Sequence, residues 1–412
     1  MGQFREPTKE ELEGRRLVGV HAEHVSDITS TDFPGHYPGE DHKWDLEKFK
    51  KSFNVEFHNY EQYNTQFSLV GIDTAVANAF RRIMIAEIPT IAIEDVYVMR
   101  NTSIIQDEVL AHRMGLIPLK GNPEAIKQMK WYKKKTPGTD EEDDQRTDYN
   151  TVVLELEAAC EWHPEGKNMA RKGETDPKKI FINSSVYAHQ IKFLPHGKQV
   201  QLFDGENAIQ PAYPDILIAK LRPGQSINLS MHCVKGIGAD HTKFSPVATA
   251  TYRLLPHIQI TKPIIGADAH KFARCFPPGV IEEVPITKEE ARQTGSGYEG
   301  HEGEPKAVVK DPFKDTVTRE CLRHDEFKDK VKLGRVRDHF IFSVESTGQF
   351  DSDDIFIQSV KALKTKCQIM KKNMENLMSY GVLESDRSFF AWILGQVRQD
   401  SGWFKNLISM VR

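Results

Sequence analysis

The strongest constraint on the fold is an apolar series in the C-terminal part of the sequence. Phe356, Val360, Leu363, Cys367, Met370, Met374 and Leu377 are spaced alternately four and three residues apart. That spacing is the a/d repeat of a heptad sustained over three heptads, so it predicts a helix with one continuous apolar seam. Asp351, Ser352 and Asp353 stand at its start, where side-chain oxygens cap free N–H groups and negative charge opposes the positive end of the helix dipole. Lys361, Lys364, Lys366, Lys371 and Lys372 fall on the remaining faces. A seam of this kind has to be covered lengthwise. The cover is either the rest of its own domain or a different chain, and the periodicity is the same for both.

Composition bounds the alternatives. At about 100–200 residues per domain, two or three domains are expected for 412 residues. Apolar residues make up 39% and charged residues 28%, the balance of an ordinary globular chain. The net charge of -4 disfavours direct nucleic-acid binding, which phosphate neutralisation by Lys and Arg normally drives. No direct sequence-specific DNA binding is expected. No apolar run approaches the ~20 residues of a membrane-crossing helix. The opening MGQFREPTKEELEGRR is too polar for a secretory signal, so a reducing compartment is expected. The cysteines, Cys160, Cys233, Cys275, Cys321 and Cys367, are scattered without a C-x-x-C pair. Metal ligands usually cluster in sequence, so neither a metal nor a cofactor is expected.

Residues 1–48 are polar and read as an extended arm ending near Trp44. Phe53, Val55 and Phe57 then alternate on one face of a candidate strand, and Phe67, Leu69 and Val70 mark a second. Ile72, Val76, Phe80, Ile83 and Met84 recur at helical spacing, with Asp73 and Thr74 as N-cap candidates, small Ala75, Ala77 and Ala79 that would allow close approach by another helix, and Pro89 as the stop. Ile91, Ile93, Val96 and Val98 predict another strand, and DEVLAHR (107–113) a short helix ended by Gly115. The basic KQMKWYKKK (127–135) is followed by acidic DEEDD (140–144); the two largely cancel, which favours a solvated loop over a nucleic-acid contact. From 151 to 245 short strands dominate: TVVLELEAA, KKIFINSSVY, DILIAKL and SINLSMHCV. VATATYRLL (247–255) and DHFIFSVE (338–345) are further strands, and 264–330 lacks strong periodicity. The tail at 381–412, with FFAWIL and WFKNLISMV, allows an amphipathic helix.

Three stretches are distinctive. The first is Gly71-Ile72-Asp73-Thr74-Ala75-Val76-Ala77-Asn78-Ala79-Phe80-Arg81-Arg82, continuing through Glu87-Ile88-Pro89-Thr90-Ile91-Ala92-Ile93. The second is Leu110-Ala111-His112-Arg113-Met114-Gly115-Leu116-Ile117-Pro118-Leu119. The third is Lys235-Gly236-Ile237-Gly238, followed by His241, Lys243 and Ser245-Pro246-Val247. The third stretch is no dinucleotide fingerprint, because it lacks a third glycine and leads into Pro246 and a strand instead of a helix. His241, Lys243 and His112 fall in no nucleophile–base–acid pattern and no metal-ligand cluster, which favours structural or docking roles over catalysis. No P-loop, H-E-x-x-H or Ser/His/Asp set is present. Arg81 and Arg82 admit an intramolecular pairing near the helix end as readily as an external contact.

In this order, the three stretches resemble the N-A-x-R-R helix with its I-P-x-x-A-I strand, the A-H-R-x-G-L-I-P-L segment and the G-x-G-x-x-H-x-K-x-x-P-V loop of the archaeal and eukaryotic alpha-like RNA polymerase subunits. The resemblance covers roughly 50–380. The cysteine-rich zinc loop typical of the polymerase II member and the cysteine clusters of many archaeal members are missing. The stretches Asp315-Thr316-Val317-Thr318-Arg319-Glu320, Leu322-Arg323-His324 and Gly334-Arg335-Val336-Arg337-Asp338-His339-Phe340 look like the version shared by polymerases I and III.

The resemblance implies an α+β fold. A discontinuous dimerisation domain (49–105 and 246–380, with an irregular subdomain at about 264–330) would carry a mixed sheet and two interface helices. A β-rich domain (106–245) would be inserted in it, flanked by the arm at 1–48 and the tail at 381–412. It further implies a non-catalytic scaffold that heterodimerises with a small alpha-like subunit through Ile72, Val76, Phe80 and Ile83 of the first helix and Phe356, Val360, Leu363, Cys367, Met370, Met374 and Leu377 of the second. Arg81, Arg82, His112, Arg113, His241 and Lys243 would dock the second-largest and largest subunits, with small zinc-binding polymerase subunits as further partners. Arginine's planar fork makes a paired contact that lysine does not reproduce. The implied setting is the nucleus including the nucleolus, the implied products ribosomal RNA precursors and small RNAs such as 5S rRNA and tRNA. The equivalent polymerase II or archaeal subunit is the alternative, and a stand-alone enzyme or nucleic-acid-binding protein a remote one.

Overall fold

Alternating apolar residues build most of the sheet structure, and the longest strand carries the pattern furthest. The computed structural model describes residues 6–28, 36–132 and 145–379, with side chains up to 376 in the last segment. Strand Val331–Ser346 runs for 16 residues, longer than the expected 338–345, because its polar first half pairs antiparallel with Leu17–Val20 from Leu17↔Val336 to Val20↔Leu333. That pairing corrects the reading of 1–48 as a plain extended arm. Helix Lys9–Arg15 and strands Leu17–Val20 and Val25–Ser26 lie within it, and Val18 and Val20 are core residues. Four residues of alternation were too few to stand out from their polar surroundings. The six-stranded sheet runs Val25–Ser26, Leu17–Val20, Val331–Ser346, Asn64–Val70, Asn54–Glu61, with Val247–Ile260 also paired to Val331–Ser346.

The chain divides into two compact units. One comprises Met1–His58, Phe67–Ala77 and Tyr252–Phe342, the other Asn59–Gln66, Asn78–Thr251 and Ser343–Arg412. In the first, Phe67 stacks on Phe342 with ring centroids 5.3 Å apart, and Tyr252 packs on Phe340 and Phe342. The weakly periodic stretch at 264–330 has its own small core: Phe272 meets Phe276 and Phe327, beside the antiparallel pair Ile281–Pro285 and Pro305–Val309. Arg253 donates to the carbonyls of Phe313 (2.5 Å) and Asp315 (2.6 Å), fixing the start of the Asp315–Glu320 stretch.

In the second unit a four-stranded sheet is ordered Lys192–Leu194, Thr151–Ala159, Ser226–Gly236, Thr90–Asn101. Leu154, Leu156, Leu229, Met231 and Cys233 alternate into its core, joined by Leu110 and Met114 of helix Asp107–Gly115. Strand Thr90–Asn101, expected with the dimerisation domain, is an edge of this four-stranded sheet, paired from Thr90↔Gly236 to Asn101↔Ile227. Helix Thr74–Ala86 starts where Asp73 Oδ1 accepts the Ala75 N–H at 2.7 Å, the cap expected from the sequence. No described helix is long and apolar enough to cross a membrane. The expected acidic run at 140–144 and the amphipathic tail at 381–412 lie outside the described residues.

Candidate docking surfaces

The heptad seam is helical, as its spacing predicts: helix Ser352–Ser379 spans 28 residues. Its head is held by a strand turn. The Ser352 N–H donates to the Gln62 carbonyl at 2.9 Å and its hydroxyl to the Glu61 carbonyl at 3.0 Å, while the Gln62 amide donates to the Asp351 carboxylate at 3.1 Å. Thr65 and Ser352 share a short hydroxyl contact. From this anchor the seam changes character along its length. Phe356 and Val360 are buried within the chain, Phe356 against Phe80; Ile72 and Ile83 are likewise buried. Ile72, Phe80, Ile83, Phe356 and Val360, expected from the resemblance at a heterodimer interface, are thus core residues of this chain. Val76, Leu363, Cys367 and Met374 are half-buried. Met370 is 66% exposed and Ile369, off the seam, 54%. The Leu377 side chain lies outside the described residues. Periodicity identifies which side of the helix is apolar, not where along its length the chain's own cover ends.

Within the second unit, the parts of the three distinctive stretches from Asn78 onward converge. The Ala239 N–H donates to the Ala86 carbonyl at 2.9 Å, so the glycine loop closes the open C-terminus of helix Thr74–Ala86. A Cβ on Gly238 would lie 2.2 Å from the Ile85 carbonyl oxygen, and one on Gly236 2.6 Å from the Phe244 ring. Both glycines are thus demanded by close packing, not by a phosphate. The Thr90 hydroxyl donates to the Phe244 carbonyl at 2.6 Å. Lys243 Nζ lies 2.6 Å from Glu94 Oε2 and donates to the Ile93 carbonyl at 2.8 Å, with only 12% of its side chain exposed. Glu94 and Phe244 were not singled out in sequence; their roles depend on which strand the loop lands against.

A cleft of about 230 Å³ opens beside this junction, lined by Glu94, His112, Leu116, His241 and Lys243 among others. It brings together the residues an enzymatic reading would need. It contains no hydroxyl or thiol nucleophile among its lining residues, its amine is engaged by Glu94, and His241 Nδ1 accepts the Lys243 backbone N–H at 3.1 Å. Cys233, the thiol beneath the sheet, is fully buried and its ionisation is pushed far up by desolvation. Among the described residues no group of three or more His, Cys, Asp or Glu side chains is arranged to hold a metal.

The remaining expected docking residues divide. Arg81 is turned to its own helix, its Nε (3.1 Å) and terminal nitrogen (2.8 Å) both donating to Asn78 Oδ1. Arg82 is exposed and has no hydrogen bond or ion pair with a described residue. His112 is exposed, and exposed Arg113 donates to the Leu217 carbonyl at 2.8 Å.

The sequence matches the RNA polymerase Rpb3/Rpb11 dimerisation domain over residues 66–367. It is 49% identical over 355 residues to the DNA-directed RNA polymerases I and III subunit RPAC1 of Saccharomyces cerevisiae, covering 86% of this chain and 97% of the relative. To the protein of the same name in Homo sapiens it is 43% identical over 359 residues, 87% and 94% of the two chains. To the DNA-directed RNA polymerase II subunit rpb3 of Dictyostelium discoideum it is 30% identical over 307 residues, 73% and 87%. With a matched segment that spans most of both units and contains all three distinctive stretches, the chain belongs to the RNA polymerase Rpb3/Rpb11 dimerisation domain family.

Proposed function

We infer that this chain is a non-catalytic assembly subunit of the nuclear DNA-directed RNA polymerases I and III, pairing with a smaller alpha-like subunit. The observation that carries the reading is the change along helix Ser352–Ser379. Its first turns are sealed by Phe80, whereas Met370 and Ile369 stand open and Leu363, Cys367 and Met374 are half covered. An apolar strip of this kind on an isolated chain marks a protein contact. A second amphipathic helix laid along it removes that surface from water, at about 25 cal/mol per Å². Identity of 49% to a subunit named for polymerases I and III, against 30% to a polymerase II subunit, supports the polymerase class over the alternative.

Arg82, Arg113 and the cleft with His112 and His241 are the surfaces best suited to the second-largest and largest subunits, while Lys243 is spent on internal bracing. Small zinc-binding subunits complete the expected neighbourhood, and a nuclear, including nucleolar, location follows from this role. The chemistry of RNA synthesis belongs to the partners. Tagged chain purified from cells, with its companions identified by mass spectrometry, tests the class: polymerase I and III subunits together are expected, and a set confined to polymerase II overturns it. Expressed alone, the chain is expected to self-associate, and co-expression with the small alpha-like subunit to yield a soluble one-to-one complex. A well-behaved monomer at high concentration would sink the pairing.

A further inference from the structure

At the head of helix Ser352–Ser379 lies a second cleft, of about 200 Å³, distinct from the exposed seam further along the same helix. Gln62, Tyr63, Lys120, Asn207, Gln349, Asp351 and Asp354 supply its polar lining. Gln349 is the telling residue. It is 5% exposed, yet neither Nε2 nor Oε1 has a hydrogen-bond partner among the described residues. A buried primary amide left unpaired costs free energy that natural chains rarely tolerate without a use for the group. Its surroundings hold it in place: the Gly348 N–H donates to the Ser346 hydroxyl at 2.9 Å, and the Ser346 hydroxyl donates to the Phe350 carbonyl at 2.5 Å.

An amide that offers one donor and one acceptor side by side is matched by another amide, such as the N–H and C=O of an extended backbone. The charges on the lining favour a cation. Two carboxylates, Asp351 and Asp354, outnumber the single Lys120. Burial, then the neighbouring Asp353 and Asp351, raises the Asp354 ionisation above its ordinary value, while Lys127 and Lys361 act to lower it. The volume lies below the range of about 300–1,000 Å³ usual for small-molecule sites. It suits one side chain with its adjoining peptide unit.

We propose that this cleft docks an extended segment of another polymerase subunit, whose backbone amide pairs with Gln349 and whose Lys or Arg side chain is held by Asp351 and Asp354. The proposal rests on the reading of the chain as an assembly subunit. It does not involve the open seam, so the two are separable.

The test uses the assembled polymerase. A photo-crosslinking amino acid placed at Lys120, on the lining of the cleft, is irradiated in the purified complex and the joined peptides are sequenced. A crosslink to a segment of another subunit with Lys or Arg close to the joined residue is expected. Crosslinks confined to this chain, to nucleic acid or to a segment without basic residues would overturn it. In parallel, Gln349→Leu and Asp354→Asn are compared with wild type. Both should leave pairing with the small alpha-like subunit intact and weaken joining of that heterodimer to the larger subunits by about tenfold. Asp354→Asn should also flatten the salt dependence of that step. Gln349→Leu should leave the thermal midpoint of the heterodimer unchanged or raised, because an unpaired polar group is removed. Wild-type joining by both variants, or a lowered midpoint as the sole effect of Gln349→Leu, overturns the docking role. Failure of the wild-type chain to pair at all would instead reject the functional reading on which it rests.

Discussion

Phe80 meets Phe356 edge to face, with ring centroids 5.5 Å apart and an interplanar angle of 72°. One ring comes from the helix of the N-A-x-R-R stretch, the other from the first turn of the heptad seam, so this contact fastens the two helices within one chain. Both rings are buried. Phe356→Ala should therefore destabilise the chain itself by about 3–5 kcal/mol, as expected for a core phenylalanine. A thermal or denaturant melt of the heterodimer reads this directly, and a loss below about 1 kcal/mol would contradict the packing.

The far part of the same helix should respond in the opposite sense. Met370 is already in water, so Met370→Asp should change the fold's own stability by no more than about 0.5 kcal/mol. It should weaken pairing with the small alpha-like subunit at least about tenfold, since a charge replaces an apolar contact. Light scattering of the free variant should also show less self-association than wild type.

Thiol chemistry maps the same boundary. Four of the five cysteines are buried, and Cys367 on the seam is intermediate. Desolvation raises Cys321 to about 12, and it raises Cys367 as well. Maleimide at mildly alkaline pH should label Cys367 first in the native chain, and pairing should slow that labelling by about tenfold or more, as thiol access controls the rate. Equal labelling in the free and paired states would place the partner elsewhere.

Lys243 acts as a brace between the glycine loop and strand Thr90–Asn101. Lys243→Met leaves the Glu94 carboxylate and the Ile93 carbonyl without their shared donor, and should cost about 1–3 kcal/mol. Hydrogen exchange should quicken across 236–247 in the variant. An effect on large-subunit docking with unchanged exchange would show that Lys243 faces a partner after all.

Glu290 supplies a pH signature for the small subdomain. Its hydrogen bond to Lys306, then those from the Thr287 backbone and hydroxyl, lower its ionisation from 4.5 to about 2. The folded form thus holds the carboxylate more strongly than the unfolded chain does. That stabilisation is present above about pH 4.5 and fades as pH falls toward about 2. The difference in melting temperature between wild type and Glu290→Gln should be present at pH 6 and shrink across that window; a pH-independent difference would refute the assignment.

The three distinctive stretches were legible as units because each combines a helix end or turn with a fixed set of small and polar residues. Their convergence was not, because Ala239 meeting Ala86 and Lys243 meeting Glu94 are contacts across more than a hundred residues. The strand Leu17–Val20 was missed for a different reason: its partner, not its own pattern, makes it a strand. Gln349 carried no signal at all, since a glutamine's lack of a partner is a property of its surroundings.

By itself the amino-acid order determined the family, the secondary-structure periods and the apolar side of the long helix, because these depend on spacing along the chain. Only the tertiary structure decided how far along that helix the chain covers itself: Phe356 and Val360 are enclosed, Met370 is open. Burial is set by what folds back against a residue from distant parts of the sequence, and a periodic pattern reads the same whether that cover comes from the chain itself or from a second one.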